Sequence, residues 1–116
     1  MIRDYKGLLE PLTRFRGVRG AMIVAAEDGV VVADALMDGM KGKALAALAA
    51  ALASRAVDLS TQASFGPARF IQLQGAEGSL LLVPASPELL LVAVTGRDVP
   101  LGLTRLEMLK AAERIR

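Results

Sequence analysis

Two almost uninterrupted apolar runs, Leu80-Leu81-Leu82-Val83 and Leu89-Leu90-Leu91-Val92-Ala93-Val94, constrain this chain most. Each is short and bounded by turn-forming residues, the signature of a strand and not of a helix. A strand with one wet face alternates apolar and polar residues; a strand that does not alternate is covered on both faces. The chain therefore needs helices on both sides of one sheet. Gly75-Ala76-Glu77-Gly78 and Ser86-Pro87-Glu88 are turn sequences, so strand 3 (70–74), strand 4 (79–85) and strand 5 (89–95) form a meander.

The flanking segments supply the cover. In helix 1 (2–15), Ile2, Tyr5, Leu8, Leu9, Leu12 and Phe15 recur at three- and four-residue spacings, and Pro11 predicts a kink or a break. Gly17-Val18-Arg19-Gly20 turns the chain into strand 1 (21–26). Glu27-Asp28-Gly29 then predicts a hairpin to strand 2 (30–35). Helix 2 (41–59) is rich in alanine, a strong helix former. Its leucine stripe, Leu45, Leu48, Leu52, Ala56 and Leu59, is expected to face the sheet and to leave Ala47 and Ala51 outward. Asp98 and Pro100 suit the start of helix 3 (99–115), with Leu103, Leu106, Leu109 and Ile115 as its expected inner stripe.

Strand polarity suggests the sheet order. Strands 1, 4 and 5 are almost wholly apolar and belong inside, strand 2 carries Asp34, and strand 3 alternates through Gln72 and Gln74. The expected fold is α/β of the α+β type. Its five-stranded, mainly antiparallel sheet has the order 2-1-5-4-3, with helix 2 on one face and helices 1 and 3 on the other. Residues 1–116 are read as a single domain, a length that buries roughly two-thirds of the unfolded surface.

Composition removes whole classes of chemistry. The chain has neither His nor Cys, so imidazole bases, thiolate nucleophiles and the usual zinc ligands are absent. Fourteen Lys+Arg stand against 12 Asp+Glu, a net charge of +2, and the cations are dispersed apart from Arg14, Arg16 and Arg19. No nucleic-acid partner is expected from that pattern. The first residues mix Arg3, Asp4 and Lys6 into an amphipathic pattern, and no uncharged apolar run reaches the roughly 20 residues of a membrane span, so a cytoplasmic location is expected.

The segment Gly39-Met40-Lys41-Gly42-Lys43-Ala44 sits where a phosphate-binding loop would. Met37 occupies the first glycine position and Ala44 the magnesium-binding hydroxyl position, so nucleotide binding is not expected. A weak anion site of Lys41 and Lys43 at the helix 2 N-terminus remains open. Gly17-Val18-Arg19-Gly20 matches the GxxG of a KH loop, but it joins a helix to a strand and reads better as a turn. Glu27, Asp28, Asp34 and Asp38 read as solvated turn residues, and Arg55, Arg69 and Arg97 as solvated arginines. No catalytic, metal-binding or cofactor-binding residue is assigned.

In order and spacing the chain resembles the Roadblock (dynein light chain) family. The carrying residues are Gly17-Val18-Arg19-Gly20-Ala21, Asp28-Gly29-Val30-Val31, Leu45-Ala46-Ala47-Leu48, Gly66 before strand 3, and Leu101-Gly102-Leu103-Thr104-Arg105. The resemblance implies a dimer that binds and regulates a Ras-like small GTPase as a scaffold or activating partner, without being an enzyme itself. Strand 3, an edge unguarded by Pro or Lys, is the expected homodimer contact through Phe70, Ile71, Gln72, Leu73 and Gln74, bringing together Ala47 and Ala51. Lys41, Lys43 and Arg55 are the expected partner-binding residues. The alternative is a small-ligand sensor of PAS-like or profilin-like architecture, which needs a polar group inside an apolar pocket; the interior strands offer none.

Overall fold

The computed structural model describes residues 4–115. Helix α1 (Tyr5–Thr13) starts where the Asp4 carboxylate accepts the Gly7 N–H at 2.9 Å. The expected beginning at Ile2 lies outside the described residues. Pro11 falls in the last turn and α1 remains one helix. The hairpin β1 (Val18–Ala25) and β2 (Val31–Leu36) follows, its turn held by Asp28 accepting the Val30 N–H at 3.1 Å. Helix α2 (Gly42–Gln62) leads to β3 (Ile71–Gln74), β4 (Ser79–Pro84) and β5 (Leu89–Thr95), and helix α3 (Leu101–Glu113) follows.

The sheet order is β2-β1-β5-β4-β3, antiparallel at every pairing. Alternate residues of the same strands serve two cores. Ala21, Ile23, Leu81, Val83, Leu91 and Ala93 face α1 and α3, whereas Met22, Val24, Leu82, Leu90 and Val92 face α2. Each buried leucine contributes about 1.5–3 kcal/mol, and a strand that feeds two cores has no position left for a polar side chain. That is why β4 and β5 read as continuous apolar runs.

Helix α2 is turned about its axis from the expected orientation, although Ala47 and Ala51 are outward as expected. Ala46, Ala49, Ala50 and Ala53 are buried against it, whereas Leu48 is 61% exposed and Leu59 65% exposed. Leu45 and Leu52 flank the contact half-buried. The cause is volume: the sheet already presents Met22, Leu82, Leu90 and Val92 there, so close packing needs small residues on the helix. The β1–β2 turn also touches the helix backbone. Gly29 has φ +74°, and a Cβ on it would lie 3.1 Å from the Ala47 Cα.

Helix α3 departs in part: Ile115 is buried and Leu109 packs on the core as expected. Its buried residues are Thr104, Met108, Ala111 and Ala112, while Leu103 and Leu106 are exposed. Asp98 does not cap it. The cap is Pro100, whose C=O accepts the Thr104 hydroxyl at 2.9 Å, giving that buried side chain its partner.

Candidate interaction surface

The outward side of α2 carries Ala44, Leu48, Ala51, Arg55 and Leu59, three or four residues apart, with Ala47 beside them, all exposed. This line is the ridge that a partner would meet. Arg55 therefore rises from apolar neighbours. Lys41 is the α2 N-cap, makes no side-chain cap bond, and is exposed together with Lys43. At 1.5 Å of rise per residue, Lys43 and Arg55 lie about 18 Å apart along the axis, so the three cations do not converge on one site.

The C-terminal end of α2 is closed by a Schellman arrangement. Ser64 donates its N–H to the Thr61 C=O at 3.0 Å, and Phe65 donates to the Ser60 C=O at 2.9 Å. Ser64 takes φ +62°, the conformation usually given to glycine at this position. The Ser60 hydroxyl donates to the Gly66 C=O at 2.6 Å and ties the following loop to the helix. In such an ending the residue at the Phe65 position usually packs back on the last turn. Here Phe65 points out, 82% exposed. Beside it a groove of about 670 Å³ runs between α2 and the approach to β3, lined by Leu59, Phe65, Pro67, Arg69 and Phe70 among others.

Strand β3 presents its free edge next to this groove. Gly75 donates to the Gly78 C=O at 2.8 Å, and that ladder phase directs Leu73 and Ile71 toward β4. The backbone N–H and C=O groups of Gln72 and Gln74 consequently point outward. Ile71 packs against the α2 core, and Leu73, 57% exposed, stands on the same face of the strand. Phe70 lies on the other face, just before β3, beneath the Arg105 guanidinium at 5.7 Å from its centroid.

The structure thus brings Phe70, at the entry to β3, together with Leu59 and Phe65, and places Ala47 against the β1–β2 turn at the opposite side of the sheet. Phe65 escaped the sequence reading. Its signal is an aromatic residue set between a serine and Gly66-Pro67 just past a helix, where nothing nearby can bury it. Arg97 is exposed and pairs with Glu77 at 3.7 Å, while Arg69 borders the groove. Among the described residues, no cluster of His, Cys, Asp or Glu could hold a metal ion.

A Roadblock/LC7 domain family model matches residues 5–95, every element but α3. A Roadblock/LC7 domain from Streptomyces avermitilis superposes with a TM-score of 0.86 at 21% identity, covering 100% of this chain and 96% of that one. The gliding protein MglB from Thermus thermophilus superposes with a TM-score of 0.81 at 26% identity, over 93% of this chain and 82% of that one. An uncharacterized protein of Methanocaldococcus jannaschii, MJ1340, is 34% identical over 109 residues, 94% of this chain and 93% of the relative. With most of its length matched by the family model, this chain belongs to the Roadblock/LC7 family.

Proposed function

We propose that this protein is a cytoplasmic, homodimeric interaction module that binds and regulates a Ras-like small GTPase, contributing a surface and no reacting group of its own. The observation that carries the reading is the leucine ridge of α2, Leu48 and Leu59, left exposed in a Roadblock/LC7 fold, with its Leu59 end toward the unpaired β3 edge. Antiparallel pairing of two β3 strands would satisfy the outward groups of Gln72 and Gln74 and bury Leu59, Phe65 and Leu73. The expected contact through Ala47 and Ala51 belongs to the same proposal, since both are exposed on the outer side of α2. A solved MglB structure shows that protein in a tetrameric arrangement, at 26% identity and a TM-score of 0.83, which agrees with self-association on this fold.

Arg55 is the preferred anchor for the GTPase, since an arginine surrounded by apolar surface is a frequent interface hot spot. The test is capture of a small Ras-like GTPase encoded by the same genome, loaded in turn with GTP and GDP. Wild-type dimer should retain the GTP form, and Arg55→Glu should retain at least about tenfold less while still dimerising. Equal capture by Arg55→Glu, or none by the wild type, removes this reading.

A further inference from the structure

Strand β3 is the shortest of the sheet, four residues with β4 as its single neighbouring strand. Gln72, Leu73 and Gln74 are exposed, so Ile71, packed on the α2 core, is the one residue of the strand that leans on a helix. A ladder this small holds weakly without further support. That support comes from just outside the strand. Phe70, half-buried, packs on the core shared by α1 and α3, on the face opposite Ile71. The Arg105 guanidinium lies over its ring, 5.7 Å from the centroid, within the range of a cation–π contact. Among the described residues the Arg105 side chain has no ion pair or hydrogen bond, so the ring is what its charge meets.

We propose that Arg105 is a positioning residue for the β3 edge, through which α3 sets how firmly that strand is seated. The connection from α2 to β3 is tied at both ends. The Ser60 hydroxyl holds the Gly66 C=O at its start, and Arg105 holds Phe70 at its end. Ile71 and Phe70 thus pin the strand from opposite faces of the sheet, one against α2 and the other against α3. Helix α3 lies beyond residues 5–95, so the family match itself does not carry this contact. The use of the device rests on the homodimer reading, in which a second copy pairs with β3; the contact itself is a property of the single chain.

Ladder phase supplies two sets of reporters. The amides of Ile71 and Leu73 point to β4 and report how firmly β3 is seated. Those of Gln72 and Gln74 point outward and report pairing with a second copy.

Amide hydrogen exchange of the full chain, followed by nuclear magnetic resonance at matched protein concentration, reads both. Arg105→Gln removes the charge and keeps a good helix former. The Ile71 and Leu73 amides should then exchange about two- to fivefold faster than in wild type. The Ala35 amide, in the ladder of β2 to β1 at the far edge, should keep its rate. Arg105→Lys, which restores a cation, should recover most of the protection. In the Phe70→Leu background, Arg105→Gln should add nothing. Unchanged Ile71 and Leu73 rates in Arg105→Gln overturn the proposal. So does an equal acceleration at Ala35, an Arg105→Lys variant that behaves like Arg105→Gln, or an undiminished Arg105→Gln effect in the Phe70→Leu background. Gln72 and Gln74 decide the homodimer reading separately. If their exchange does not slow as protein concentration rises, that reading fails, and the Ile71 and Leu73 rates still decide this one.

Discussion

Single residues decide how α2 ends and how closely the β1–β2 turn approaches it. At Ser64 a side chain is held at φ +62°, which costs an ordinary residue on the order of 1 kcal/mol. Ser64→Gly should therefore raise stability by about 0.5–1 kcal/mol, read as a higher midpoint in chemical denaturation. Gly29→Ala should act in the opposite sense, because φ +74° and the 3.1 Å approach to Ala47 both reject a Cβ; a loss of about 1–3 kcal/mol is expected by the same measurement. Gly29 was legible in the sequence, since Glu27-Asp28-Gly29 between two apolar runs demands a turn. Ser64 was not, because serine fits a helix end in several conformations and only tertiary geometry selects the left-handed one.

For whole elements, periodicity identified the helices but did not orient them. Alanine is apolar too, so α2 offers two apolar sides, and spacing alone cannot say which turns inward. The side facing Met22, Leu82, Leu90 and Val92 has to be the smaller one. Helix α3 repeats the lesson, with Thr104, Ala111 and Ala112 inside and Leu103 outside. Ala49→Leu should accordingly overpack the core and cost about 1–3 kcal/mol in denaturant unfolding. Leu48→Ala should change the stability of the folded unit by no more than about 0.5 kcal/mol, while weakening self-association seen by sedimentation. The reverse pattern for these two variants would restore the leucine-inward orientation. By length and composition alone α2 could cross a membrane, yet here its alanine side lies on the sheet.

At the scale of the molecule, strand order was readable because polarity marks an edge: Asp34 in β2 and the two glutamines of β3 sit where only one neighbour is present. The pairing of copies was less readable, since it depends on which backbone groups face outward, a property of ladder phase and not of residue type. Gln72→Pro removes an outward donor and spares the bonds to β4, so light scattering should report a monomer with an intact fold. A dimer of unchanged mass would move the contact away from β3. If two copies do join there, the joined sheet ends in a β2 strand on each side, roughly 43 Å apart at about 4.8 Å per strand. The assembly then presents each surface near β2 twice. A partner that touched such a surface through two contacts on a flexible tether of roughly 60 residues would span both, and would gain avidity that neither contact has alone.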